Sequence, residues 1–343
     1  MKRLLNTLFV TTQGAYLAKD GETVAVKVEG EVKARFPVLN LSSIVCFGNV
    51  TVSPFLLGHC AESGVAVSFC TEHGRFLCRV VGPVHGNVLL RREQYRRADD
   101  PAASAALARS VVIGKVANGR AVLARALRDH GEQVPRSEVE AAVLRLGRIG
   151  QDVGNGTNLD AIRGLEGDAG QTYFGVFRHL ITGQKDDFDF TERTRRPPRD
   201  PMNALLSFLY TMLMHDVIGA CESVGLDPQV GFLHRDRPGR ASLALDLMEE
   251  LRPVLADRLA LSLVNRNQVS LDGFSRDAGG GVTMDDKTRK TVIQGYQERK
   301  QDEITHPFTE EKLEIGLLPY AQALLLARHL RGDLDAYPPF LWR

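Results

Sequence analysis

The feature that most constrains this chain is a change of texture near residue 82. Before it, apolar residues come in short runs rich in Val, Phe and Ile: LLNTLFV, ETVAVKV, VKARFPV, SSIVCF, VAVSF and RFLCRVV. Such runs read as strands when turn residues separate them, and KDGE (19–22) and EGE (29–31) are hairpin signals. One helix interrupts, from Ser53 to Ser63, with Ser53 as N-cap, Pro54 at the first helical position and Gly64 as the stop. From Pro101 onward the apolar spacing is helical, over 102–130, 136–152, 158–182, 201–224, 242–260, 285–303 and 310–331. Asp200-Pro201 is a strong start signal, an N-cap followed by proline at the first position. VSLDGFSRDAGGGVTM (269–284) breaks the pattern as a hairpin or irregular loop. The expected fold class is α+β: a small β domain over 1–85, a linker over 86–101 and a larger all-α domain over 102–343.

At 343 residues the chain can build two domains and a sizeable core. No apolar run reaches the ~18 residues that a bilayer demands. The start, MKRLLNTLFVTTQG, lacks a signal peptide's apolar region and cleavage site. A cytoplasmic protein with no membrane partner is expected. The five cysteines, Cys46, Cys60, Cys70, Cys78 and Cys221, form no CxxC pair. Their odd number argues against a disulfide framework, and buried reduced thiols are the expected reading.

The net charge of +1 conceals an uneven spread, because residues 1–98 hold 12 Lys and Arg against 7 Asp and Glu. Three arginine clusters stand out: Arg91, Arg92, Arg96 and Arg97; Arg193, Arg195, Arg196 and Arg199; and Arg235, Arg237 and Arg240. Any one of them can be a solvated surface. Three together favour a polyanionic partner, since phosphate contacts depend on local clusters rather than on the total.

The third cluster lies in GFLHRDRPGRASLALDLMEEL (231–251), beside His234 and just ahead of three acids. On a helical wheel Leu243, Leu247, Leu251, Val254 and Leu255 share one face, and Asp246, Glu249 and Glu250 lie on the other. Taken alone, those acids read as a solvated face. Residues 160–177 are different. Ile162, Leu165, Ala169, Tyr173 and Phe177 form an apolar stripe with Glu166 in its middle. A carboxylate pressed toward a core must be paired, protonated or metal-bound. Gly164, Gly167 and Gly170 flank it, as though something approaches the helix closely. Glu166, His234 and Glu249 together offer two carboxylates and an imidazole, a donor set for Mn²⁺ ahead of Mg²⁺. Zinc stays open, although no HExxH pattern occurs and no cysteine lies near His234. A divalent ion among arginines is the equipment of phosphodiester chemistry. A non-catalytic DNA-binding scaffold, its acids paired only with arginines, is the alternative. Asn203, in the first turn after Asp200, is expected to cap its helix or brace the site. His179 and His215 read as core or surface histidines, GGG (279–281) as a flexible loop, and the basic helix over 285–300 as a solvated face.

Five stretches in order carry a family resemblance over essentially the whole chain: LNTLFVTTQGAYL (5–17), IRGLEGDAGQTYF around Glu166, RPPRDPMNALLSFLY (196–210), GFLHRDRPGRASLALDLMEELRP (231–253) and ARHLRGDLDAYPPF (327–340). The chain resembles the CRISPR-associated endonuclease and integrase of the adaptation stage. With THPF (305–308), the last stretch looks like its I-C subtype. The resemblance implies a β domain followed by a helical domain, and a homodimer formed through the β domain. It implies a small second adaptation protein that bridges two dimers. The implied reaction is insertion of short captured DNA into the CRISPR repeat by 3′-hydroxyl transesterification, with nuclease action on double-stranded and branched DNA. Carried over by position, Glu166, His234 and Glu249 are the catalytic metal ligands, for Mn²⁺ or Mg²⁺, with Asp246 near the metal. Many members have Asp where this chain has Glu249. Glu250 is left as a solvent-facing residue.

Overall fold

A computed structural model describes residues 6–72, 76–80, 82, 88–131 and 133–342. The expected strand starts at Leu4 and Arg75, the expected strand end at Val81, and part of the expected linker lie outside the described residues. The chain divides into two compact units, Met1–Gly86 and Asn87–Arg343.

The first unit contains β1 (Asn6–Val10), β2 (Tyr16–Asp20), β3 (Thr23–Val28), β4 (Glu31–Pro37), β5 (Leu41–Phe47), β6 (Thr51–Val52), α1 (Pro54–Glu62), β7 (Ala66–Cys70) and β8 (Phe76–Val80). Among the described residues these strands make two four-stranded sheets, in the orders β1-β5-β7-β8 and β4-β3-β2-β6. Both hairpin signals close two-residue turns. Asp20 pairs with Thr23 and Val28 with Glu31. Glu29 and Gly30 both take positive φ, 53° and 82°, which matches the right-handed twist of the strands. YLAKD was not foreseen as a strand, for it has no alternating β-branched pattern. Its neighbours impose β2, with β3 on one side and β6 on the other. Helix α1 starts where Ser53 Oγ accepts the Leu56 N–H at 3.2 Å, and it buries Leu56 and Cys60 against Leu17, Ile44 and Val67. No disulfide joins the cysteines. Burial pushes the Cys46 and Cys70 thiols up to about 12 and that of Cys60 to about 11. Cys78 is exposed, contrary to the expectation of buried thiols.

The second unit contains α2 (Val88–Asp99), α3 (Pro101–His130), α4 (Arg136–Asn155), α5 (Leu159–Gly175), α6 (Pro201–Val224), α7 (Ser242–Arg252), α8 (Arg258–Asn265), β9 (Phe274–Arg276), β10 (Val282–Met284), α9 (Asp286–Gln301), β11 (Glu303–Thr305), β12 (Lys312–Glu314) and α10 (Leu318–Arg331). Most of the expected linker is thus a helix. Only Leu90 and Gln94 of α2 are buried, a pattern too sparse to show as periodicity. Gln94 anchors it: its Nε2 donates to the Asp227 and Val230 carbonyls, both at 2.8 Å, and its Oε1 accepts the Asp227 N–H at 2.9 Å. The helix expected from 310 starts at Leu318, because Lys312–Glu314 pairs with β11 instead. The 269–284 insertion is a hairpin of β9 and β10.

Helix α3 packs against α4, α5 and α7, and α6 packs against α7 and α10. By length and composition α6 could cross a membrane, but 67% of its most apolar stretch is buried inside the protein, so it reads as a core helix. Helix α7 is enclosed on every side. From Ser242 to Leu251 every residue except Leu245 is buried, so the solvated face that Asp246, Glu249 and Glu250 suggest when taken alone does not exist. Glu250 in particular is no solvent-facing residue. Its Oε1 accepts the Tyr337 hydroxyl and the Gln322 amide, and its Oε2 accepts the Phe340 N–H at 2.6 Å. Burial still pushes its carboxyl up to about 7. Gly114 lets α3 reach α7 here: a Cβ at that position would lie 2.9 Å from Glu250 Cβ.

Candidate functional site

Helix α5 begins where Asn158 Oδ1 accepts the Asp160 and Ala161 N–H groups at 2.9 and 3.2 Å. It buries Ile162, Ala169 and Tyr173, which leaves Glu166 at the edge of the stripe with 29% of its side chain exposed. A Cβ added at Gly164, Gly167 or Gly170 would meet nothing within 4 Å, so among the described residues no other part of this chain makes the expected close approach.

The loop ahead of α7 wraps around Asp246. Its Oδ2 accepts the Phe232 and Leu233 N–H groups at 2.6 and 2.9 Å, and its Oδ1 accepts the His234 N–H at 2.9 Å. Gly231 makes this tight approach feasible, since a Cβ there would stand 2.9 Å from Asp246 Oδ2. The same carboxylate meets His234 Nδ1 at 2.6 Å. An acceptor-only carboxylate fixes the proton on Nδ1 and leaves the Nε2 lone pair open, the arrangement that orients metal-binding histidines. His234 Nε2 lies 3.9 Å from Glu249 Oε1.

Glu249, 2% exposed, comes from the next turn of α7. Arg252 pairs with its Oε1, and the Lys115 ammonium of α3 stands 2.8 Å from its Oε2. Lys115 also pairs with Glu166. Burial opposes the Glu249 charge, but Arg252, Lys115 and His234 outweigh it and hold the carboxyl well below its usual range. Lys115 is lowered by burial and raised more by Glu249 and Glu166. The sequence reading missed Lys115 and Arg252. Arg252 could have been found, one turn after Glu249; Lys115 had no local signal.

The structure thus brings Glu166, His234 and Glu249 to one place, with Asp246 behind the histidine. Among the described residues, no three His, Cys, Asp or Glu side chains already stand as a metal-ligand group. The donor chemistry nevertheless fits a divalent ion. A cation, the Lys115 ammonium, already sits between the two carboxylates, and an imidazole lone pair is held beside them. Asn203 is not part of this set. Its Oδ1 accepts the Arg193 guanidinium at 2.6 Å and the Thr194 N–H at 3.0 Å, and its Nδ2 donates to the Glu192 carbonyl at 2.8 Å. It braces the loop that carries the second arginine cluster.

Arg193 is held in that brace and stacks over Tyr210 at 5.2 Å, which removes it from the surface contacts expected of it. Arg195, Arg196, Arg199, Arg235 and Arg237 are exposed. Arg235 also pairs with Asp160 at 3.1 Å. Burial, then the charges of Arg237, Arg163 and Arg196, lower the Arg240 guanidinium.

Beneath Arg252, the chain makes a π-helical turn over Pro253–Asp257, and Tyr210 donates to Asp257 Oδ1 at 2.7 Å. Burial raises the Asp257 carboxyl from 3.8 to about 6, against the Tyr210 hydrogen bond and Arg193. A carboxyl raised on folding gives its full stabilisation below pH 3.8 and loses it as pH climbs through 6. Unfolding free energy should therefore fall by up to about 3 kcal/mol across that window from this group. Asp257→Asn should flatten the fall in urea titrations run from pH 4 to 7, and an unchanged slope would assign it elsewhere.

The family model described as CRISPR associated protein Cas1 matches residues 8–298. A CRISPR-associated endonuclease Cas1 of Chlorobaculum tepidum is 55% identical over 343 residues, covering 100% of both chains. One from Rhodospirillum rubrum is 56% identical over 347 residues, again covering 100% of both. The fold is shared with a CAS1 protein from Thermotoga maritima at a TM-score of 0.81 and 23% identity, over 95% of this chain and 97% of that one. With a family model spanning most of its length and relatives more than half identical across the whole of it, the chain belongs to the CRISPR-associated Cas1 family.

Proposed function

We propose that the protein is a divalent-metal-dependent DNA endonuclease and integrase of CRISPR adaptation, acting in the cytoplasm on double-stranded and branched DNA. It would insert short captured DNA into the repeat by 3′-hydroxyl transesterification. The observation that carries this reading is the pair of carboxylates, Glu166 and Glu249, sharing one cation beside the held lone pair of His234. Its relatives' names, as CRISPR-associated endonucleases, support it.

Glu166, His234 and Glu249 would hold Mn²⁺ or Mg²⁺. When bound, that ion stabilises charge on a scissile phosphate and activates a water or hydroxyl. Asp246 keeps His234 in the ligating tautomer. Arg195, Arg196, Arg199, Arg235 and Arg237, all exposed, would take backbone phosphates. Homodimer formation through the first unit is supported by Leu39 and Phe55, apolar side chains left 86% and 84% exposed. The assembly would be completed by the small second adaptation protein. The test is processing of labelled branched DNA, which should require added Mn²⁺ and stop in chelator. Full activity in chelator would overturn the metal reading.

The scaffold reading keeps one favourable observation. The charge of Glu249 is already countered by Arg252 and Lys115, as that of a purely structural acid would be, although its buried Oε2 accepts no hydrogen bond. A scaffold would bind DNA equally after Glu166→Ala and process none.

A further inference from the structure

We infer that Lys115 is a built-in counter-cation: its ammonium holds the divalent ion's place between Glu166 and Glu249 and must leave when the ion binds. The inference rests on the metal reading above. Lys115 belongs to neither element that carries the acids. It arrives from α3, which Gly114 allows to press against α7, and its side chain is only 17% exposed. Its single ammonium touches both carboxylates. With Arg252 on the other oxygen of Glu249, two negative and two positive charges close a neutral cluster. Two carboxylates side by side repel when no cation lies between them, and an ammonium removes that repulsion in the metal-free protein.

The same ammonium opposes the ion. A dication entering this cluster meets a like charge at the point where its ligands converge, so binding requires Lys115 to move. A cavity of about 30 Å³, lined by Gly119, Gly170, Arg195 and Tyr210, adjoins Lys115 and gives room for a shift of a water-sized group. Removing the ammonium while keeping the side chain's bulk should therefore strengthen metal binding and weaken the metal-free fold. A lysine that served the metal site as a supporting residue would give the opposite result for the ion.

The experiment is Mn²⁺ titration followed by the electron paramagnetic resonance of free Mn²⁺, on wild type and Lys115→Met. The variant should bind Mn²⁺ at least about tenfold more tightly. In chelator it should melt below the wild type, and Mn²⁺ should raise its Tm by more. Wild type that binds Mn²⁺ as tightly as the variant, or more tightly, overturns the inference and leaves the metal reading intact. Absence of binding by both proteins overturns the metal reading and the inference with it. Should Lys115→Met fail to fold, brief lysine acylation of the wild type read by mass spectrometry decides the matter. Lys115 should label faster with Mn²⁺ than in chelator, and equal labelling overturns the inference.

Discussion

Glu166→Ala and His234→Ala should each reduce Mn²⁺-dependent cleavage of branched DNA by about 1,000-fold, with the fold kept. Removing an outer partner of a metal ligand costs about 10- to 100-fold, and removing a ligand itself costs more. Both side chains are partly exposed, at 29% and 21%, and neither anchors a core helix, so neither substitution leaves a large cavity. Asp246→Asn should behave differently. It removes the charge that fixes the His234 proton on Nδ1 while keeping the size of the group that three backbone N–H donors require. Activity should fall by about 10- to 100-fold, with Mn²⁺ affinity falling alongside it. The measurement is single-turnover cleavage at saturating enzyme, paired with DNA affinity. If both alanine variants cleave at the wild-type rate, these residues are not ligands. If no protein cleaves while all bind DNA alike, the scaffold reading takes over.

Much of the fold could be read from local chemistry. Asp200-Pro201 marked the start of α6 because a capping carboxylate and a proline are local signals, and Asp200 Oδ1 does accept the Asn203 N–H, at 2.7 Å. The hairpin turns were legible for the same reason. The errors arose where neighbours, not local sequence, decide. A helical wheel presumes one buried face, and α7 has none exposed, because α3, α6 and α10 surround it. Taken alone its acids therefore read as a solvent face, and Glu250 was left there, although the fold pairs or hydrogen-bonds each one. Gln94 gave α2 no apolar periodicity, since its anchor is an amide bonded to backbone far along the chain. For the site, Glu166, His234 and Glu249 were legible as donors, but their cations were not. Lys115 stands 51 residues before Glu166, and nothing in GKVANG marks it as the group that pairs with both acids.

Glu250→Ala should destabilise the second unit by about 3–5 kcal/mol, more than any exposed substitution in the chain. The carboxylate satisfies three donors at once, from Tyr337, Gln322 and Phe340, and all three lose their acceptor together. Its own backbone carbonyl accepts the Asn118 amide at 2.6 Å. Asn118 in turn bonds the Phe340 carbonyl and the Trp342 N–H, so the segment Tyr337–Trp342 is latched to α7 and α3 through this one network. Trp342, the only tryptophan, lies under Arg125 and Arg258, with guanidinium carbons 5.4 and 4.1 Å from its ring centre. Its fluorescence during urea unfolding therefore reports the latch directly. Tyr337→Phe removes one donor and keeps the ring, and should cost only about 1–2 kcal/mol. Glu250→Gln should fall between the two, since it keeps the shape but turns one acceptor into a donor facing the Phe340 N–H. Equal, small losses for all three would mean that water replaces the carboxylate and the network is no latch. Because Glu249 is the next residue back on α7, a loosened latch should also weaken Mn²⁺ binding in Glu250→Ala and not in Tyr337→Phe. That contrast separates a helix held in register from a merely stable core.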